Sequence, residues 1–188
     1  MKRIAIFASG TGSNAGKIID FFKNDDQVRV GLVISNKADA PVLEMARKEG
    51  VETYRINKAG FYESRELLAV LRNRQIDLIV LAGFLWLVPA YLIEAFPNKI
   101  INIHPALLPG YGGKGMYGMH VHEAVKKAGE TRTGITIHYV NEHYDKGNII
   151  FQSSCEINSG DSAEEIALKV RDLEHRHFAP VIAQLLKD

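Results

Sequence analysis

Short, nearly continuous apolar runs alternate along this chain with segments of helical period, and that alternation leaves few folds open. A strand that is apolar on every residue must be covered on both faces, and crossover helices between parallel strands do this. Strand-like runs span residues 3–9, 28–35, 51–56, 77–82, 99–104, 134–140 and 148–157. Between the first two, residues 14–22 set Ala15, Ile18, Ile19 and Phe22 on one helical stripe, with Ser13 or Asn14 expected to cap the start. Residues 41–48 read as a second helix opened by Pro41 and ended by Gly50, residues 64–75 as a third, and residues 121–128 as a short fourth. In the last helix Ser162 and Glu165 make a capping box, and Ile166, Val170, Leu173, Phe178, Val181, Ile182 and Leu185 keep an apolar stripe. Pro180 is expected to bend or interrupt that helix near Ala179. The fold class that follows is α/β: an open, mostly parallel, twisted sheet with helices on both faces, extended by the two later strands. No internal repeat, linker or low-complexity tract breaks the pattern, so residues 1–188 are expected to form one domain.

Composition narrows the partners. The 188 residues carry 23 Lys+Arg against 22 Asp+Glu, a formal net charge of +1, which offers no basic surplus for wrapping nucleic acid. The one cysteine, Cys155, has no internal partner for a disulfide and reads as a small packed side chain. The apolar run after Met1-Lys2-Arg3 stops at Ser9-Gly10, short of a signal core, and no run of about 18 apolar residues could span a bilayer. A cytoplasmic protein working on small molecules is expected, without membrane or nucleic-acid partners, as a monomer or homodimer. All seven histidines lie beyond residue 103, so imidazole chemistry belongs to the second half.

In open α/β sheets ligands bind beyond the carboxyl ends of the strands. The first such place is Ser9-Gly10-Thr11-Gly12-Ser13-Asn14-Ala15, where glycines allow close approach and a helix N-terminus favours phosphate. The segment also fits the dinucleotide pattern Gly-x-Gly-x-x-Ala, but the second strand ends in Ser35-Asn36-Lys37, without the acidic residue that a ribose 2′-hydroxyl wants. A tight turn with no ligand is the remaining alternative.

The second place is the strand end Ile101-Asn102-Ile103-His104-Pro105. Period two puts Asn102 and His104 on one face, so a buried strand carries two polar groups that need partners or a function. An amide donor beside an imidazole is what an oxyanion needs. The third place is the turn from Asn141 to Gly147, where Asp145 is either a turn aspartate or a carboxylate that raises the pKa of His104 and keeps it cationic. Trp86 either lines a pocket for a flat ring or sits in the core. His120 with His122, and His175 with His177, have two-residue spacing but fall in helical patterns, where such residues diverge, so no metal is expected. Arg72, Arg74, Lys126 and Lys127 read as solvated helix faces.

Taken in order, Ser9-Gly10-x-Gly12-Ser13-Asn14, Leu81-Ala82-Gly83-Phe84, Asn102-Ile103-His104-Pro105-Ala106-Leu107-Leu108-Pro109 and His138-Tyr139-Val140 with Asp145 and Gly147 resemble the phosphoribosylglycinamide formyltransferase family over essentially the whole chain. The resemblance implies a Rossmann-like formyltransferase fold with a phosphate-binding half over residues 1–100 and a catalytic, folate-binding half over 101–188. It implies transfer of the formyl group of 10-formyltetrahydrofolate to the amine of phosphoribosylglycinamide in purine synthesis, with no metal. It assigns Asn102, His104 and Asp145 to catalysis. Gly12, Ser13, Asn14, Arg171 and Glu174 are assigned to the phosphoribosyl substrate. Arg65, Leu85, Trp86, Leu87, Val88, Asn102, Asn141, Glu142, His143, Tyr144 and Asp145 are assigned to the folate. Two departures stand out. Residues 110–118, Gly-Tyr-Gly-Gly-Lys-Gly-Met-Tyr-Gly, make a longer glycine-rich loop than the family pattern, and Ala106 replaces a common serine. A sugar-nucleotide N-formyltransferase and an NAD(P)-dependent reductase are the alternatives.

Overall fold

The computed structural model describes residues 1–187. Seven strands, β1 (Lys2–Phe7), β2 (Val28–Ser35), β3 (Thr53–Arg55), β4 (Leu78–Leu81), β5 (Ile100–His104), β6 (Arg132–Tyr139) and β7 (Ile149–Glu156), form one sheet in the order β3-β2-β1-β4-β5-β6-β7. The first five run parallel, while β6 and β7 are antiparallel additions. The order reverses between β1 and β4, the switch point at which the loops after neighbouring strands part and open a crevice.

Alternate residues of the central strands feed two separate cores, which is why these strands read as continuous apolar runs. Ile4, Ile6, Val80, Ile101 and Ile103 pack with helices α1 (Ser13–Phe22), α2 (Pro41–Lys48) and α7 (Ala163–Leu185). Ala5, Phe7, Ile79, Leu81 and Ile100 pack on the other face with α3 (Lys58–Tyr62), α4 (Glu66–Asn73) and α5 (Ala90–Ala95). Helix α6 (Met119–Lys127) follows the glycine-rich loop and packs on α7.

Several expectations change. The expected helix 64–75 is shorter, and the expected strand 51–56 contracts to three residues. Helices α3 and α5 were absent from the sequence reading, because five and six residues are too few to display a helical period. Neither Ser13 nor Asn14 caps α1: the N-cap is Gly12 at φ 78°, with no side-chain cap. A Cβ at Gly12 would lie 2.3 Å from Val42 Cγ2, so this turn is closed to other residues on two counts. Helix α7 is not interrupted at Pro180 but runs unbroken for 23 residues, since Phe178, Ala179, Val181 and Ile182 bury both sides of the proline. The Ser162–Glu165 capping box is present as expected.

Candidate active site

Strand β5 ends in the site. Asn102 and His104 share the face opposite Ile101 and Ile103, and both border a cavity of about 960 Å³. The chain bends at Pro105 and Ala106, and the residues of this bend are pinned by β6. Thr136 on β6 donates its hydroxyl to the Ala106 carbonyl (2.7 Å) and accepts from the Leu108 N–H (3.0 Å). Ala106 is fully buried, which fits a small side chain where the family has serine.

Four side chains converge at the end of β5. The loop after β6 folds back so that Asp145 Oδ2 lies 3.5 Å from His104 Nδ1 and Oδ1 lies 3.6 Å from His138 Nε2. Asn102 Nδ2 is 3.1 Å from the same His138 nitrogen. His138 Nδ1 is 2.8 Å from the Tyr139 carbonyl, which only accepts, so Nδ1 carries a proton and Nε2 is left to accept from the Asn102 amide. One of the two Asn102 amide hydrogens is thereby fixed and the other stays available. Asp145 is a turn residue at φ 55°, and its carboxylate also stands beside the imidazole.

The electrostatics correct one expectation. Burial lowers the His104 pKa, and the Asp145 carboxylate and the Tyr111 carbonyl do not fully restore it, so His104 is not held cationic. With only 3% of its surface exposed, desolvation outweighs the neighbouring charge. Its Nε2 sits 2.8 Å from the Tyr111 carbonyl and therefore bears a proton. Burial pushes the Asp145 carboxyl up, but the neighbouring His138 and His104 rings and the Gly113 N–H, 2.9 Å from Oδ2, together hold it below its ordinary value. Asp145 is thus ionised at neutral pH.

Across the cavity stands the N-terminus of α1. Without a side-chain cap, its first N–H groups are open to an anion. Asn14 Nδ2 donates to Glu174 Oε2 (2.9 Å), tying α1 to α7 at the cavity wall. Burial raises the Glu174 carboxyl above its ordinary value, against the opposing pull of Asn14 and Arg171. Ser9 Oγ donates to Asn36 Oδ1 (2.7 Å) and accepts from the Leu85 N–H (3.2 Å), so the place of a dinucleotide-binding carboxylate is filled by an amide engaged within the protein.

The chain that carries this open helix N-terminus and this Asn-His-Asp cluster on one cavity has relatives in sequence and in fold. The formyl transferase family model matches residues 2–182. The chain belongs to the formyl transferase family. It is 42% identical to the chloroplastic phosphoribosylglycinamide formyltransferase of Arabidopsis thaliana over 100% of this chain and 66% of that protein. It is 37% identical to the phosphoribosylglycinamide formyltransferase of Bacillus subtilis (strain 168), over 99% and 95%. The chain spans about two thirds of the chloroplastic relatives it matches, 66% and 62%. A solved glycinamide ribonucleotide transformylase 1 from Geobacillus kaustophilus superposes with a TM-score of 0.89 at 37% identity, covering 99% of both chains.

The other residues that the formyl transferase resemblance singles out divide into two groups. Gly12, Ser13, Asn14, Arg171 and Glu174 border the cavity, as do Leu85 to Val88. Trp86 does both things expected of it: it borders the cavity and leans on Phe61 and Phe84, at ring distances of 5.5 and 6.1 Å. Asn141, His143, Tyr144 and Asp145 line the wall, whereas Glu142 does not. Arg65 also lies outside the lining, as the N-cap of α4. His120 and His122 diverge on α6 as their spacing implied, one exposed and one buried.

Two elements that the sequence reading named without a role in the site belong to it. His138 sits opposite Asn102 only because β6 runs antiparallel to β5, a pairing across 36 residues; its signal was a histidine alternating with isoleucines on a buried strand. The glycine-rich loop is the other, since the Tyr111 carbonyl and the Gly113 N–H bond directly to His104 and Asp145. A Cβ on Gly112 would lie 2.6 Å from Leu108 and 3.2 Å from Asp145 Cβ. Close packing against Asp145 accounts for one glycine of this loop.

Proposed function

We propose that this chain transfers the formyl group of 10-formyltetrahydrofolate to the amine of phosphoribosylglycinamide, a step of purine synthesis carried out in the cytoplasm. The single observation that carries the reading is the convergence of Asn102, His104 and Asp145 in a cavity whose far wall is an uncapped helix N-terminus. The folate supplies the formyl group, with the apolar segment Leu85 to Val88 and the wall from Asn141 to Tyr144 as its seat. The α1 N-terminus with Arg171 takes the phosphate, and Glu174 with Asn14 takes the ribose hydroxyls.

As the amine adds to the formyl carbon, charge collects on the formyl oxygen. The free amide hydrogen of Asn102 and the Nε2–H of His104, which now rests on the Tyr111 carbonyl, are the donors that meet it. The stronger donor is the imidazolium, which forms when the ring takes up a proton from solvent before the amine adds; Asp145 Oδ2, facing Nδ1, favours that form, and the proton stays on the ring through the reaction. The proton leaving the amine passes through water held at the Asp145 carboxylate to the departing nitrogen, so no net proton is consumed.

A direct assay of formyl transfer between these two substrates tests the proposal, with His104→Ala as control. Loss of one oxyanion donor typically costs about 10²–10³ in rate. Wild-type activity that falls by that factor in a folded His104→Ala protein is the expected result. A wild type inactive with phosphoribosylglycinamide, or a variant with near-normal turnover, would overturn it.

A further inference from the structure

Helix α6 places one unassigned polar group in the same cavity. His122 is buried at 6% exposure and borders the cavity, near enough to His104 that protonating one ring opposes protonating the other. Its Nδ1 is buried and has no hydrogen-bond partner. A buried ring nitrogen without a partner costs least when it carries no proton, because orphaned N–H groups are the more penalised of the two. That puts the proton on Nε2, and burial keeps the ring neutral. A neutral, fixed N–H donor in a cavity wall is a recognition group with no protein acceptor to serve.

We propose that His122 is a further contact for the amine substrate, its Nε2–H donating to the glycinamide carbonyl oxygen. This rests on the proposed reaction. The choice among substrate oxygens follows from charge and position. The phosphate has the α1 N-terminus and Arg171, and the ribose hydroxyls have Glu174, all charged or dipolar partners, so neither calls for an uncharged donor such as His122. The glycinamide carbonyl is uncharged and stands one carbon from the attacking amine, which must itself reach the formyl group at Asn102 and His104. A donor next to His104 therefore meets this carbonyl before any other acceptor of the substrate, and it aims the amine.

Kinetics of His122→Phe and His122→Gln test the contact, the glutamine amide being long enough to replace the Nε2 donor. Loss of one neutral hydrogen bond predicts a rise of about tenfold in KM for phosphoribosylglycinamide in His122→Phe. The KM for 10-formyltetrahydrofolate should not move, and His122→Gln should recover most of the loss. An unchanged KM for the amine substrate in His122→Phe, or a glutamine variant no better than phenylalanine, overturns the proposal. Nitrogen-15 NMR of the wild type covers the case of a variant that does not fold. The free protein should show the Nε2–H tautomer of His122, with a Nε2 signal that shifts on adding phosphoribosylglycinamide and not on adding inorganic phosphate. An Nδ1–H tautomer, or a silent His122 while the substrate binds, refutes the contact. A wild type that binds the amine at His122 yet transfers no formyl group would sink the reaction and leave the contact standing.

Discussion

At the scale of single residues, the site is a contest between burial and charge at His104. Desolvation favours the neutral ring, while Asp145 and the Tyr111 carbonyl favour the cation, and burial wins in the resting protein. Replacing Asp145 by Asn removes the largest of the opposing influences, so the His104 pKa falls further. The imidazolium is the form lost as pH rises, so the alkaline limb of the kcat profile should move to lower pH in Asp145→Asn, with lower turnover throughout. A profile of full height with an unmoved limb would remove Asp145 from its role. The contacts that produce this balance were only half visible in the sequence. Asn102 and His104 announced themselves because a strand of period two cannot hide two polar side chains on a buried face. His138, Tyr111 and Gly113 did not, because each reaches the site through strand register or a loop path that no local pattern encodes.

At the scale of elements, the long strands and the helices of eight or more residues were legible from periodicity, and the exceptions have local causes. The cap expected at Ser13 or Asn14 is displaced because Gly12, at positive φ, turns the chain one residue earlier and leaves the Asn14 side chain free for Glu174. Pro180 shows the opposite balance, a local breaker overruled by packing. It removes the bond that a backbone N–H would make to the Arg176 carbonyl, yet apolar neighbours hold the helix through it. A helix-interior proline costs roughly 3 kcal/mol relative to alanine, and restoring freedom to the unfolded chain takes back about 1 kcal/mol. Pro180 is exposed, so its replacement leaves no cavity. Pro180→Ala should therefore stabilise the protein by about 2 kcal/mol. Urea denaturation reads this directly, and a variant no more stable than wild type would mean that the proline shapes the packing of the last two turns.

At the scale of the whole molecule, the sheet opens a cavity beyond its strand ends, and the neutral histidines in its wall tie stability to pH. His104 and His122 both have pKa values lowered chiefly by burial. Once pH falls below the ordinary histidine value of about 6.5, the unfolded chain takes up protons that the folded one resists, so stability falls from there downward. Asp145 adds a loss in the same direction at lower pH, since its lowered carboxyl stabilises the fold only while ionised. Glu174 acts the other way: its raised carboxyl contributes below the ordinary glutamate value, and that contribution is lost as pH rises through its folded value. A wild-type profile alone mixes these terms, but a comparison with His122→Phe separates them, because Asp145 and Glu174 are common to both proteins. The denaturation midpoint should drop between about pH 7.5 and about pH 5.5 in the wild type, and drop less in His122→Phe. Parallel profiles would mean that His122 gains its proton as readily in the folded protein as in the unfolded chain, against the neutral ring that its burial implies.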